Sequence, residues 1–292
     1  MIERFFCSEK ARNRSELLFG TATRVKTWLL IEYRGVWRED AIEDSNLPDS
    51  VKHQLERLVE RQPFLRPLLI RQSYRRSDRM RCFVVQSPES SPAISRAELS
   101  ICEDLDNLDL SSLMARAEPF HEPMYLVCTH GNHDKCCAKF GIPVYKAAQE
   151  IAGDQAWECS HVGGDRFAGN LLCFPHGVYY GHVTPADVPA IVNAYARGDV
   201  FLDKYRGRCC YSKAIQAADY FLRRQTGRLA FDSFHYESAV NSGPWTIRFH
   251  GNDGVHEIAL RSRSDLVEIL TCKSHIPRSI QQYELLSYRA PI

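Results

Sequence analysis

The stretch from 124 to 199 constrains the fold most. Its apolar runs and turn signals allow one order of elements: strand, helix, strand, strand, strand, helix. Met124 to Val127 reads as a short buried strand. A polar, cysteine-rich loop follows. The spacing then predicts a helix from about Pro143, with Val144, Ala148 and Ile151 on one face and Gly153 at its end. A strand reaches Trp157, and a glycine-containing loop leads to a second strand, Leu171 to Phe174. The turn Pro175-His176-Gly177 starts a third, Val178 to Val183. Thr184-Pro185-Ala186-Asp187 is a helix start: a capping threonine, proline at the first helical position and an early acid. Val188, Ile191, Val192 and Tyr195 form that helix's buried face, and Gly198 stops it.

Two segments flank this one, giving divisions at 1–118, 119–199 and 200–292. In the first, Thr27 to Tyr33 reads as a buried strand ended by Gly35. Val51, Leu55, Leu58 and Val59 mark a helix closed by Pro63, and strands follow at Leu68 to Gln72 and Cys82 to Gln86. The turn between those strands carries Arg75, Arg76, Arg79 and Arg81, which suits a solvated hairpin tip or a docking patch for an acidic partner. Ser87 to Pro92 is a loop by composition. In the third segment a helix runs from Ser212 to Gln225, ended by Gly227. Trp245 to His250 and His256 to Leu260 alternate about the Gly251-Asn252-Asp253-Gly254 turn as a hairpin. No sequence repeat is visible. The class is α/β (α+β), and the order in 124–199 is compatible with a thioredoxin-like sheet.

A net charge of +1 over 292 residues indicates neither a nucleic acid nor an anionic membrane as partner. No apolar run approaches the ~18 residues needed to span a bilayer. Charges at Glu3, Arg4, Glu9 and Lys10 deny the N-terminus a signal-peptide core, which places the expected compartment in the cytoplasm. There, eleven cysteines point to metal ligation or redox chemistry rather than disulfides. Cys82, Cys102 and Cys173 lie inside apolar runs and read as small buried hydrophobes.

The chemistry concentrates in residues 128–176. Cys128, His130, His133, Cys136 and Cys137 form one cluster, and Cys137 falls near the start of the following helix, where thiolate is stabilised. Cys159, His161, Gly163, Gly164 and Asp165 form the second, with Cys, His and Asp within seven residues and paired glycines that let the backbone turn tightly. Either cluster alone is equally a polar loop with incidental histidines. Neither has the paired short spacings of a zinc ribbon, and neither is a Cys-x-x-Cys dithiol. Adjacent Cys136-Cys137 and Cys209-Cys210 fit disulfide geometry poorly.

Three stretches carry a resemblance: Cys128-Thr129-His130-Gly131 with Asp134 to Cys137, His161 through Asn170, and Pro175 through Gly181. Together they resemble the sucrase/ferredoxin-like family. Gly20-Thr21-Ala22 and Trp28 through Glu32 extend the likeness, and Cys272 does so more weakly. The resemblance implies a thioredoxin-like ferredoxin domain flanked by an N-terminal α/β segment and a C-terminal α+β segment. It implies a [2Fe-2S] cluster on Cys128 and Cys137, with His161 as the first histidine of a His-x-x-x-His pair. The second position is Asp165 here, a departure from the pattern. A carboxylate in place of imidazole implies a lower potential and a more labile cluster. Cys159 is the alternative fourth ligand, followed by Cys173 and Cys136.

The reading is an electron carrier or redox accessory protein that works with a reductase or acceptor protein. Its competitors are a hydrolase, as the family label suggests, and a structural-zinc or metal-free protein. Glycoside hydrolysis requires two carboxylates across one pocket, and the sequence identifies no such pair. No Gly-x-Gly-x-x-Gly fingerprint suggests a built-in dinucleotide site. His130 and His133 are loop residues or hydrogen-bond donors to a cluster. Arg166 is a charge-neutralising or surface residue, and His176 and His182 are structural.

Overall fold

The computed structural model describes residues 5–72, 79–99, 110–274 and 276–291. Cys102, Arg75 and Arg76 lie outside them. A ten-stranded mixed sheet forms the body, in the order β10-β9-β8-β6-β7-β2-β1-β3-β4-β5. It is built from two halves of the same topology. The first runs β1 (Thr27–Glu32), α2 (Asp49–Arg61), β2 (Leu65–Arg71), β3 (Met80–Gln86), β4 (Ala93–Leu99), α3 (Leu110–Arg116) and β5 (Glu118–Phe120). The second runs β6 (Met124–Cys128), α4 (Lys135–Ala152), β7 (Ala156–Cys159), β8 (Leu171–Phe174), β9 (Val178–Tyr180), α5 (Val188–Ala196) and β10 (Tyr205–Arg208).

In each half a strand–helix–strand unit puts two strands in parallel; the third strand adds antiparallel beside the first and the fourth antiparallel beside the third. This is the thioredoxin-like arrangement, with a loop in the second half between β7 and β8. The halves meet where β2 and β7 pair antiparallel, Ile70 opposite Cys159 and Arg71 opposite Glu158, so an approximate two-fold axis passes between them. The sequence shows no repeat because the matching positions share only their burial. Glu32 ends β1 where Cys128 ends β6.

Side chains alternate across the sheet. Trp28, Leu30, Ile70, Phe83, Leu126, Cys128, Trp157 and Leu172 share one core that spans both halves. The opposite face is covered half by half. Leu29, Ile31, Leu69 and Val84 pack with α2, while Tyr125, Val127, Leu171 and Cys173 pack with α4 and α5. Beyond the sheet, α6 (Lys213–Thr226) lies on a four-stranded antiparallel meander of β11 (Phe234–Asn241), β12 (Trp245–Gly251), β13 (Gly254–Glu268) and β14 (Arg278–Arg289). A short helix, α1 (Cys7–Asn13), precedes β1.

Several expectations are corrected. Helix α4 begins eight residues before Pro143, which lies inside it. Its buried face of Cys136, Cys137, Gly141, Val144 and Ala148 outweighs the one backbone hydrogen bond that proline forgoes. Ile151 and Val59 are exposed rather than on their helices' buried faces. Arg81 is no hairpin-tip charge. It is buried, with Nε 2.8 Å and Nη2 3.2 Å from the Glu32 carboxylate. Cys82 and Cys173 are buried as expected.

Candidate metal centre

The site lies where the second half's first strand hands over to its helix. Cys128 is the last residue of β6, and its amide donates to the Asn170 carbonyl at 3.1 Å. The loop turns back into α4, whose N-terminus is capped by Asp134: Oδ1 accepts from the Cys136 amide at 2.8 Å. That cap sets the first turn, which delivers Cys137 beside Cys128. Gly141 permits the approach, since a Cβ there would stand 2.0 Å from the Cys128 carbonyl oxygen. The two buried thiols are neighbours, their sulfurs within 4.8 Å of each other. Cys128 is the member drawn toward thiolate, first by Cys137 and then by the His130 and Val162 amides, against the effect of burial. Cys137 is pushed up by that partner and by burial.

The other wall is the loop between β7 and β8. His161 Nδ1 is 3.1 Å from Asp165 Oδ1 and 3.9 Å from Cys137 Sγ. Cys137 Sγ lies 3.4 Å from the same carboxylate oxygen. Ligand atoms of Cys128, Cys137 and His161 all fall within 4.8 Å of one another, as do those of His133, His161 and Asp165. Burial, then the charges of His133 and Arg66, holds His161 down to about 2, which keeps it the neutral imidazole that a metal would require. Burial, then the charge of Asp134, pushes Asp165 up to about 6. Two thiols, an imidazole and a carboxylate, three of them drawn toward their neutral forms by burial, are a donor set that a cation would organise.

The supporting contacts were less visible in the sequence. His130 bridges the two walls, its Nδ1 accepting from the His161 amide at 3.3 Å while Nε2 meets the Arg38 carbonyl at 2.5 Å. The His133 ring stacks on His161 at 3.8 Å. Both rings therefore pack against the His161 wall. Arg206, fully buried, was missed. Its Nη1 donates to Gly163 O at 3.1 Å and Asn170 Oδ1 at 2.7 Å, and Nη2 donates to Thr21 O at 2.7 Å, clamping both ends of the His161 loop to the chain before β1. The Gly164 backbone, at φ +82°, lies against that guanidinium. The only sequence hint was the Gly20-Thr21-Ala22 likeness.

The remaining candidates fall elsewhere. Arg166 binds buried Glu16 at 2.6 Å. Cys159 is buried opposite Cys128 in the β6–β7 register but is not among the converging ligand atoms. Cys173 packs in the other core, and Cys136 faces Cys7 and Cys272. His176 bonds Tyr195 Oη at 2.8 Å, and His182 Nδ1 accepts from Arg12 Nε at 3.0 Å. A cleft of about 240 Å³, lined by Glu39, Asp40, Arg66, His130, His133 and His161, opens the imidazole side to solvent.

Curated relatives share part of the chain. Altered inheritance of mitochondria protein 32 of Meyerozyma guilliermondii is 28% identical over 131 residues, covering 41% of this chain and 46% of that protein. The protein of the same name from Debaryomyces hansenii is 30% identical over 95 residues, covering 29% and 35%. The chain thus spans less than half the length of these relatives. Among solved structures, a variant of the thioredoxin-like [2Fe-2S] ferredoxin from Aquifex aeolicus is 21% identical, covering 29% of this chain and 97% of that one, with a TM-score of 0.25. The pattern of one family matches residues 18–207, which include both walls of the site, the Thr21 contact and Arg206: the chain belongs to the sucrase/ferredoxin-like family.

Proposed function

We propose that the protein is an electron-transfer protein whose second half holds a [2Fe-2S] cluster on Cys128, Cys137, His161 and Asp165. The observation that carries this reading is the convergence of Cys128, Cys137 and His161 at one strand–helix junction, with Asp165 bonded to two of them. When bound, such a cluster supplies one-electron transfer. The chain's own part is to hold the donors. The thiol pair is buried, and the cap and close approach of α4 fix its spacing. His161 presents Nδ1, the nitrogen that faces Cys137 and Asp165. His130 and Arg206 keep the second wall from moving away. The cleft leaves His161 17% exposed, so electrons would enter and leave on the imidazole side, toward a docked reductase or acceptor protein.

The hydrolase reading finds no comparable support, since the buried carboxylate of the site is bound to a thiol and an imidazole rather than facing a second carboxylate. The compartment is part of the proposal. All ten described cysteines are free, as in a reducing cytoplasm, and no helix among the described residues is long and apolar enough to cross a membrane.

Anaerobic reconstitution tests the reading. About two iron and two sulfide per chain are expected. Cys128→Ser or Cys137→Ser should abolish this loading, while Cys136→Ser should leave the iron in place. A wild-type chain that takes up no iron, or a Cys136→Ser variant that alone loses it, refutes the assignment.

A further inference from the structure

A second group of thiols stands behind the first turn of α4, facing away from Cys137. Cys7 of α1, Cys136 of α4 and Cys272, in the loop after β13, converge from three parts of the chain. Their sulfurs are 3.6 Å apart for Cys7 and Cys136, 3.3 Å for Cys136 and Cys272, and 3.6 Å for Cys7 and Cys272. This is a nearly equilateral triangle. Sulfurs bound to one tetrahedral zinc at ~2.3 Å stand ~3.8 Å apart, so a slight spreading of this triangle makes three ligands of one ion.

The surroundings match a thiolate site. Asp134 grips two of the three ligand residues: Oδ1 accepts from the Cys136 amide at 2.8 Å, and Oδ2 accepts from the Cys272 amide at 2.6 Å. The same Oδ2 lies 4.0 Å from Cys7 Sγ, within reach of a fourth coordination position. The Cys7 amide points at Cys272 Sγ at 3.4 Å, an N–H···S bond of the kind that holds metal-bound thiolates in place. Cys7, Cys136 and the Asp134 carboxylate are buried and Cys272 partly so, which sets three thiols and an acid together in a small core of their own.

We propose that Cys7, Cys136 and Cys272 bind a single structural Zn²⁺, with Asp134 supporting the ligands or completing the coordination. The ion clasps α1 and the 269–274 loop onto the N-terminus of α4. The segments it joins are 265 residues apart in sequence. Zinc on Cys136 and the proposed cluster on Cys137 sit back to back on neighbouring residues that face different ways.

Metal analysis of the full chain tests this separately from the cluster. The anaerobically purified protein should carry about one zinc per chain, as a structural site implies. Cys272→Ser and Cys7→Ser should each lose that zinc and keep whatever iron and visible absorption the wild type shows. Cys128→Ser should keep the zinc. Co²⁺ substituted into the wild type should give the thiolate-to-cobalt charge-transfer and tetrahedral d–d bands of a three-sulfur site, a readout that needs no variant to fold. Wild-type protein that binds neither Zn²⁺ nor Co²⁺, zinc retained in both Cys7→Ser and Cys272→Ser, iron lost in Cys272→Ser, or a disulfide between two of the three thiols under anaerobic conditions would each overturn the proposal. Failure of the cluster reading, with no iron in any variant, leaves the zinc result to be read independently.

Discussion

Arg81→Met should be among the most damaging single changes outside the candidate metal centre. Arg81 donates to both oxygens of Glu32, at 2.8 and 3.2 Å, and its Nη2 donates to Gln72 Oε1 at 2.8 Å. Gln72 in turn donates to the carbonyls of Asp154 and Ala156, and the guanidinium lies 4.2 Å above the Trp157 ring. One buried network therefore ties the first half to β7, the strand that leads into the His161 loop. Burial pushes the Glu32 carboxyl up, but the hydrogen bonds and charge of Arg81 outweigh it and hold Glu32 below its usual value. Breaking a buried pair from one side costs about 3–5 kcal/mol, because an uncompensated charge remains. Above the unfolded value of 4.5 the wild type keeps the full contribution of this pair. In Arg81→Met burial, the largest influence, is opposed only by the residue-81 amide and the charge of Arg34, so Glu32 rises above its unfolded value, and the variant recovers stability as it protonates on acidification. The gap between the two proteins should therefore narrow from pH 7 to pH 5. Adding Glu32→Met should restore much of the loss, since a well-packed apolar pair replaces a buried ion pair at little cost. Urea titrations at both pH values, compared at constant m, measure this. A cost under about 1 kcal/mol at pH 7, or a gap that is the same at pH 5, would refute the reasoning.

Gly141→Ala should cost about 3 kcal/mol or more, because its Cβ would meet the Cys128 carbonyl at 2.0 Å; a thermal melt and the iron content after reconstitution should fall together. Arg206→Met should cost at least about 3 kcal/mol by leaving the Gly163, Asn170 and Thr21 acceptors unpaired, with hydrogen-exchange protection lost first around 163–170. Burial, aided by Arg208 and Arg12, holds His176 down to about 4 and His182 down to about 3, and His182 Nδ1 must stay unprotonated to accept from Arg12. Their stabilisation is whole above pH ~6.5 and is lost as pH falls toward those values, at up to ~2.7 kcal/mol per pH unit for the two together. His182→Gln should roughly halve their share of that slope in urea titrations between pH 7 and 5, and an unchanged slope would exclude His182.

The local elements of 124–199 were legible because their signals are local. Asp187 Oδ2 accepts from the Thr184 amide at 2.8 Å, the capping reading of Thr184-Pro185-Ala186-Asp187, and Gly198 ends that helix at φ +80°. Asn252 and Asp253 turn the β12–β13 hairpin with Gly251 opposite Gly254. The start of α4 was misplaced because Pro143 is a strong local stop, whereas the buried face that overrides it depends on partners distant in sequence. Arg81 was misread for the same reason: its partner, Glu32, lies 49 residues away.

From the sequence alone came the class and the alternation of strands and helices, which rest on short-range spacing and turn chemistry, and, through the family likeness, the residue types of the candidate metal centre. The tertiary structure decided the rest. It duplicated one topology across a two-fold axis that no residue pattern marks, because burial tolerates many apolar side chains and leaves no shared letters. It made Glu32 a buried ion-pair partner where its counterpart Cys128 faces a thiol. It turned Cys136 and Cys137, neighbours in the chain, toward different partners, because consecutive residues of a helix point about 100° apart and only the packing of α1 and the loop around Cys272 fixes what each one meets.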